Sequence, residues 1–403
     1  MCMVSLADIR AAESRIFPHI IHTPLVHSPT ISEMIGANVY LKLETLQKAG
    51  SFKVRGATNK ILSCVNTTRE PIVVAASAGN HAQGVAVAAH SAGIPATIVM
   101  PEWSALTKQE ATRSYGAQVI IHGKSVEESI EKAREIARQG NIFIHPYDDD
   151  AVIAGQGTIA LEILHDLPAT DMIVVPVGGG GLIAGIATAA KAMKPDIIIV
   201  GAQARLCPSA TEALRHGSPY RVQAGKTIAD GIRVAETGIQ TLPLIQRYVD
   251  RHVLVSEEEI ADAMLLLLER KHVIAEGAGA VPLAALMNGS IDVPSGSNVV
   301  LVISGGNVES SLLFRVIRQS LARQGRIMSF SVLLEDQPGA LARILTSIAL
   351  ERGNILHIHH FQGESDIPVL MVRVNMELET RGWDHISGIK KVLADAGYEI
   401  RME

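Results

Sequence analysis

Lys53 stands in the run Gly50-Ser51-Phe52-Lys53-Val54-Arg55-Gly56-Ala57, between two apolar side chains and beside small residues. A lysine in such a setting is partly desolvated. Desolvation lowers the pKa of an ammonium and leaves a neutral amine, the form that attacks a carbonyl carbon and holds it as a Schiff base. Most lysines are solvated surface charges, so this run alone singles out nothing. Its weight comes from what lies downstream.

Gly178-Gly179-Gly180-Gly181-Leu182 follows the apolar run Ile173-Val174-Val175-Pro176-Val177. Consecutive glycines expose backbone N–H groups with no Cβ in the way, which suits a phosphate. Ser304-Gly305-Gly306-Asn307 closes a second apolar run, Asn298 to Ile303. An amine, a phosphate cradle and a ring contact together describe a pyridoxal phosphate site. Gly179, Gly181 and Ala184 also fit G-x-G-x-x-A, but a dinucleotide site wants an acidic residue ending the next strand. That strand runs into Gly201-Ala202-Gln203 instead, and a nicotinamide cofactor would leave Lys53 unexplained. Ser77-Ala78-Gly79-Asn80-His81 opens a helix after a buried strand, where Ser77 and free N–H groups suit a carboxylate. An ordinary N-cap is the plainer reading of the same residues.

The elements that position these groups alternate. Strands are expected at Pro71 to Ala76, Ala96 to Met100, Val119 to His122, Ile142 to His145, Met172 to Val177, Ile197 to Gly201 and Asn298 to Ile303. Helical periodicity runs through Ser125 to Gln139 and Glu257 to Lys271. The order implies an α/β fold of βαβ units on mostly parallel sheet, with ligands at the carboxyl ends of strands. The glycine tetrad and the Ser304 turn fall at such ends. Near Gly325 the pattern changes. From Phe330 it reads strand, helix, strand, strand, helix, strand, the ferredoxin-like βαββαβ order of a separate small domain. The expected division is residues 1–321, a linker at 322–328, and residues 329–403.

The 403 residues are 47 % hydrophobic and 19 % charged, with a net charge of −5. No basic cluster stands out, which argues against nucleic acid and anionic membrane as partners. No run of about twenty apolar residues exists, and the N-terminus lacks a signal pattern, so a cytoplasmic protein is expected. Cys2, Cys64 and Cys207, odd in number and widely spaced, make neither a disulfide framework nor a zinc site.

These motifs resemble those of the serine/threonine dehydratases, pyridoxal phosphate enzymes of the tryptophan-synthase-β-like (fold type II) class. The resemblance covers about Ile21 to Arg318 and is greatest to the threonine dehydratases (threonine ammonia-lyases) that carry one C-terminal ACT domain. It implies two catalytic lobes, with Lys53 as covalent anchor and catalytic base and Phe52 against the cofactor ring. Asn80 is then expected on the ring hydroxyl, Gly178 to Leu182 on the phosphate and Ser304 at the ring nitrogen. Ser77, Asn80 and His81 lie where the family binds the substrate carboxylate. Ala154-Gly155-Gln156-Gly157-Thr158 matches a segment expected behind the site. A neutral serine at the ring nitrogen cannot hold it protonated as a carboxylate would, which favours expulsion of a β-hydroxyl. The implied reaction converts L-threonine to 2-oxobutanoate and ammonia, and L-serine to pyruvate.

Serine or 3-hydroxyaspartate dehydratases and serine racemases of the same fold are the alternatives. The racemases carry a second serine where this chain has Ala78, which has no transferable proton. They also use carboxylates for a divalent metal where this chain has Gln203 and no acid up to Ser209, so no metal is expected. Glu276 reads equally as a group near the ring or as a helix cap. Cys207 reads as a structural thiol, and His357, His359 and His360 as a solvated or interface face. In the small domain, Asp336 to Leu341 and Asn354-Ile355 resemble the ACT ligand loop and its partner strand. Isoleucine and valine are the effectors this implies, with Asp336, Leu341, Asn354 and Ile355 as contacts. An ACT domain also serves in places only as a dimerisation surface, and a homodimer or homotetramer is expected.

Overall fold

A computed structural model describes residues 3–64, 72–362 and 366–402. Cys2 and the Pro71 end of the first expected strand lie outside the described residues. Backbone contacts divide the chain into two units, Met1–Glu309 and Ser310–Glu403.

The larger unit carries two sheets. One holds β1 (Leu25–His27), β2 (Asn38–Leu43), β7 (Met172–Pro176), β8 (Ile198–Ala204), β9 (Arg251–Val255) and β10 (Asn298–Ile303), in the order β1-β2-β10-β7-β8-β9. Every neighbouring pair is parallel except β1 with β2. The other holds β3 (Val73–Ala76), β4 (Ala96–Met100), β5 (Gln118–Ile121) and β6 (Ile142–Phe143), all parallel in the order β5-β4-β3-β6. Strands buried on both faces read as continuous β-branched runs rather than alternations, and β3, β4 and β7 are buried at every residue.

The helices begin at clear signals. Ser125 caps Val126–Ala137 by accepting from the Glu128 amide, and Ser256 with Glu259 forms a capping box before Glu257–Leu266. The helix expected through Lys271 changes pitch there: Leu267–Lys271 is a π turn ending at His272, which takes a left-handed conformation with φ of 56°.

One helix ties the unit together. Asp150–Asp166 packs against Lys53–Cys64 on one side and Gly181–Met193 on the other. Glycines make the contacts on both sides so close that no Cβ fits. A Cβ on Gly155 would stand 2.7 Å from the Arg55 carbonyl oxygen, and one on Gly185 would collide with the Ile153 carbonyl. Gln156 Oε1 accepts from the Gly56 amide across the same seam at 3.2 Å. The segment expected behind the site is thus the spacer between the Lys53 helix and the glycine-tetrad helix.

Beneath Lys53 lies an ionic cluster. Arg55, Lys42 and Glu44 have no exposed surface. Arg55 donates to both oxygens of Glu44 (2.9 and 2.8 Å) and to Glu162 (2.6 Å), while Lys42 Nζ lies 2.6 Å from Glu162. Burial would pull the Arg55 pKa down, but Glu44 and Glu162 more than reverse it and hold it above the usual range.

The smaller unit is a helix, Ser310–Arg323, and a four-stranded antiparallel sheet of β11 (Ile327–Glu335), β12 (Asn354–Phe361), β13 (Met371–Glu379) and β14 (Ile400–Met402). Its order, β12-β13-β11-β14, with helices Ala340–Leu350 and Trp383–Asp395, is the ferredoxin-like arrangement. Alternation along β11 puts Met328, Phe330, Val332 and Leu334 on one core with Ile344, Ile348 and Ile389. The helix Ser310–Arg323 falls with this unit, so the contacts divide the chain earlier than the expected boundary at 322. Only residues 324–326 separate that helix from β11.

Candidate active site

A cavity of about 640 Å³ opens at the carboxyl ends of the parallel strands in the larger unit. It gathers every residue assigned there to the cofactor or the substrate. Phe52, Lys53 and Ser304 line it, as do Ser77, Asn80 and His81, and so do Gly178 to Leu182.

Lys53 opens its helix directly after a strained turn in which Ala49 has φ of 61° and Gly50 of 67°. The approach is fixed by backbone pairing to the Ser304 turn. Phe52 donates to the Ser304 carbonyl (3.1 Å) and Gly306 to the Gly50 carbonyl (3.0 Å), with a bridge between Ser51 and Gly305. The Lys53 ammonium donates to the Pro146 carbonyl at 2.8 Å and lies 5.1 Å from the centre of the Phe52 ring. Burial pulls its pKa down to about 8, against a weaker pull upward from Glu276. The group stays mostly ammonium at neutral pH but offers far more neutral amine there than a solvated lysine does. Because only the neutral amine attacks an aldehyde, capture of pyridoxal phosphate by the apoprotein should quicken roughly tenfold per pH unit below about 8 and level off above it. Stopped-flow absorbance from pH about 6 to 9 measures this, and a rate indifferent to pH would remove Lys53 from the role.

Ser77 Oγ accepts from the Gly79 amide at 3.1 Å, and the amides of Ala82 and Gln83 return to the Gly79 carbonyl. The first N–H groups of helix Asn80–Ser91 have no acceptor within the helix, which leaves them for an anion. The His81 ring is committed elsewhere: Nε2 lies 3.0 Å from the Ile144 carbonyl. Burial, with the charge of Lys53, holds its pKa down to about 3, so the neutral ring donates to that carbonyl. His145 is likewise held down to about 4, chiefly by burial. Its Nδ1 accepts from the Tyr147 and Asp148 amides at 3.3 and 2.8 Å, which shapes the turn presenting the Pro146 carbonyl to Lys53.

Gly180, at φ of 98°, turns β7 into the helix Gly181–Met193. A positive φ is open to glycine at no steric cost, and the turn aims the helix start at the cavity. The Tyr147 ring lies flat on this loop, so close that a Cβ on Gly179 would enter it; its hydroxyl donates to the Glu236 carbonyl at 3.2 Å. Tyr147, Pro146 and Asn307 are members of the cavity wall to which sequence reasoning gave no role. The signal was available, because His145-Pro146-Tyr147 ends a parallel strand as the glycine tetrad does. Glu276 is 4 % exposed and accepts from Asn80 Nδ2 at 2.6 Å. Burial, reinforced by Asp230, pushes its pKa up to about 7. It faces the cavity and does not cap through its side chain.

Other singled-out residues lie elsewhere. Cys207 is buried and donates to the Val234 carbonyl at 3.3 Å. Gln203 Oε1 accepts from both the amide and hydroxyl of Thr211 at 3.1 Å. In the smaller unit, Asp336 accepts from Gln362 at 3.3 Å and Asn354 donates to Glu379 at 3.0 Å. Leu341 and Ile355 pack against the core of that unit. His357, His359 and His360 are exposed on β12, with the first two rings stacked at 6.5 Å.

The donor set fits pyridoxal phosphate: a depressed amine for the aldehyde, a glycine loop at a helix start for the phosphate, and a hydroxyl at Ser304. Comparison with known proteins agrees. The model of a family described as pyridoxal-phosphate dependent enzymes matches residues 16–305. The chain is 46 % identical over 402 residues to an L-threonine ammonia-lyase of Thermotoga maritima, covering 99 % of this chain and 100 % of the other. Among solved structures, a threonine deaminase of tomato, Solanum lycopersicum, in its processed form superposes with a TM-score of 0.73 at 36 % identity, covering 78 % of this chain and 91 % of that one. Maize serine racemase superposes with a TM-score of 0.74 at 34 % identity, covering 80 % and 100 %.

Proposed function

The chain belongs to the pyridoxal-phosphate dependent enzymes, and from that premise we propose that it is an L-threonine ammonia-lyase, a carbon–nitrogen lyase that also accepts L-serine. The observation that carries this reading is one cavity holding a depressed lysine, a glycine loop at a helix start and a neutral serine at a strand end. Pyridoxal phosphate, when bound, supplies an electron sink for negative charge at the substrate Cα. The chain does the rest. Gly178 to Leu182 would hold the phosphate with backbone N–H groups, Phe52 would pack on the ring, and Ser304 would offer its hydroxyl to the ring nitrogen. Asn80 would donate to the ring oxygen. Ser77 and the amides of Asn80 and His81 orient the substrate carboxylate, and His81 contributes through its backbone because its ring is spent on Ile144. Lys53 would hold the aldehyde carbon of the cofactor and, with its amine free, would take the Cα proton of the substrate, the resulting ammonium donating to the Pro146 carbonyl as it does at 2.8 Å here. The β-hydroxyl would leave as water with the proton removed from Cα, and hydrolysis of the released enamine would give 2-oxobutanoate and ammonia.

A comparison of kcat/KM for L-threonine, L-serine and 3-hydroxyaspartate tests the assignment. L-threonine should lead, and a clear preference for either rival would overturn it. Similarity to serine racemase makes racemisation the second reading. Ala78 lines the cavity where a second acid would stand, so incubation with L-serine should yield pyruvate without D-serine by chiral chromatography. D-serine at a comparable rate would mean that another group serves the opposite face.

The smaller unit is proposed as a regulatory ACT domain that senses a branched-chain amino acid through Asp336, Leu341, Asn354 and Ile355, in a homodimer or homotetramer. None of the cofactor-site residues lies in it. Coupling between such sites is typically about 1–3 kcal/mol, so isoleucine or valine should shift the apparent substrate affinity several-fold. Asp336→Ala or Asn354→Ala should abolish that shift while leaving basal turnover unchanged. Indifference of the intact enzyme to both amino acids would make the domain structural. Among the described residues no helix is long and apolar enough to cross a membrane, and a cytoplasmic location is proposed.

A further inference from the structure

Three loops that meet at the cavity are joined by a single side chain. Asn307 Nδ2 donates to the Ala49 carbonyl at 2.8 Å and to Asn80 Oδ1 at 2.9 Å, with Gln83 Oε1 at 3.4 Å as a longer third neighbour. Asn80 Nδ2 in turn donates to Glu276 Oε1 at 2.6 Å. These contacts tie the strained turn before Lys53, the helix start at Asn80 and the Ser304 turn to one another.

The direction of this relay is fixed by its ends. A backbone carbonyl offers no proton, so Asn307 must turn its nitrogen, not its oxygen, toward Ala49. That nitrogen also meets Asn80, which must answer with its oxygen. Glu276 accepts at the far end. The Asn80 amide is thus held in one of its two flip states. One of its N–H bonds is spent on Glu276, and the other is left for the cavity. An amide without these partners could turn over and present its carbonyl instead.

We propose that Asn307 is a positioning residue: through Asn80 it sets a hydrogen-bond donor, rather than an acceptor, against the ring oxygen of the cofactor. This rests on the assignment of Asn80 to that oxygen and not on which amino acid is the substrate. A donor stabilises the oxygen as an anion. A carbonyl in its place pairs with the oxygen only if the oxygen keeps its proton. The two states of a bound pyridoxal ring absorb differently, the ionised one in the visible and the protonated one in the near ultraviolet.

The test is the ratio of visible to near-ultraviolet absorbance of the holoenzyme without substrate, read alongside the rate of cofactor loss. Asn307→Asp keeps the shape but places an acceptor against Ala49 and Asn80. It should lower the ratio roughly five- to tenfold, the effect of one exchanged hydrogen bond, and speed cofactor loss. Asn307→Ala removes the tether without a charge and should lower the ratio about two- to threefold; it carries the comparison if the aspartate variant does not fold. Asn80→Ala should lower the ratio at least as far as Asn307→Asp. If Asn80→Ala lowers it while both Asn307 variants keep the wild-type spectrum and release rate, the positioning role is wrong. If Asn80→Ala itself leaves the ratio unchanged, the assignment of Asn80 to the ring oxygen falls, and this inference with it.

Discussion

Lys53→Ala should lower kcat/KM for L-threonine by on the order of 10⁴-fold, the size of effect seen when a catalytic proton-transfer group is removed, and the protein should remain folded. The choice of lysine is decided by the electrostatics of the cavity rather than by its presence there. Lys108 lines the same cavity. Burial would lower its pKa too, but Asp230 and Glu309 at 3.2 and 3.4 Å more than reverse this and hold it above the usual range. Lys108 is therefore a fixed cation, whereas Lys53 at about 8 exchanges its proton. Borohydride reduction of the holoenzyme followed by peptide mapping should place the cofactor on Lys53. A label on Lys108, or an alanine variant that turns over at a tenth of the normal rate, would overturn the assignment.

The second large effect is on stability. Arg55→Met should destabilise the larger unit by about 3–5 kcal/mol, because it leaves the buried carboxylates of Glu44 and Glu162 with only Lys42 to balance them. The apparent melting midpoint should fall by on the order of 10 °C. Arg55→Lys should recover only part of this, since an ammonium cannot reproduce the paired hydrogen bonds to Glu44. The same variants should bind cofactor more weakly, because residue 55 lies within the first turn of the Lys53 helix. A melting midpoint within about a degree of wild type would show that the cluster contributes little net stability.

The legible parts of this molecule are those where buried parallel strands end. Such strands must be continuously apolar, so Met172–Pro176 and Asn298–Ile303 stand out from sequence, and the special residues just beyond them mark the site. What stayed hidden follows from the same physics. β2 runs Asn38–Leu43 with Lys42 fully buried, and a lysine in a strand reads as surface until its carboxylate partners are known. The helix Ser310–Arg323 has clear periodicity, but periodicity does not say which core an apolar face will find. The Asn307 relay was invisible because its partners are distant in sequence: Asn80 and Asn307 are 227 residues apart.

The glycine seam of the central helix bears on more than packing. On the proposed assignment, Lys53 must reach the aldehyde end of a rigid ligand while the glycine loop holds its phosphate end, so the span between them would be dictated by the ligand. Gly155 touches the helix that carries the amine, and Gly185 belongs to the helix that begins at the phosphate loop. The central helix therefore works as a gauge whose thickness is set by missing methyl groups on both of its sides, at Gly56 and Gly155 toward one helix and at Gly157 and Gly185 toward the other. Gly155→Ala or Gly185→Ala should move anchor and cradle apart, and so betray itself first as a poorer fit for pyridoxal phosphate. A shorter or longer aldehyde should then discriminate between the variants better than heat does.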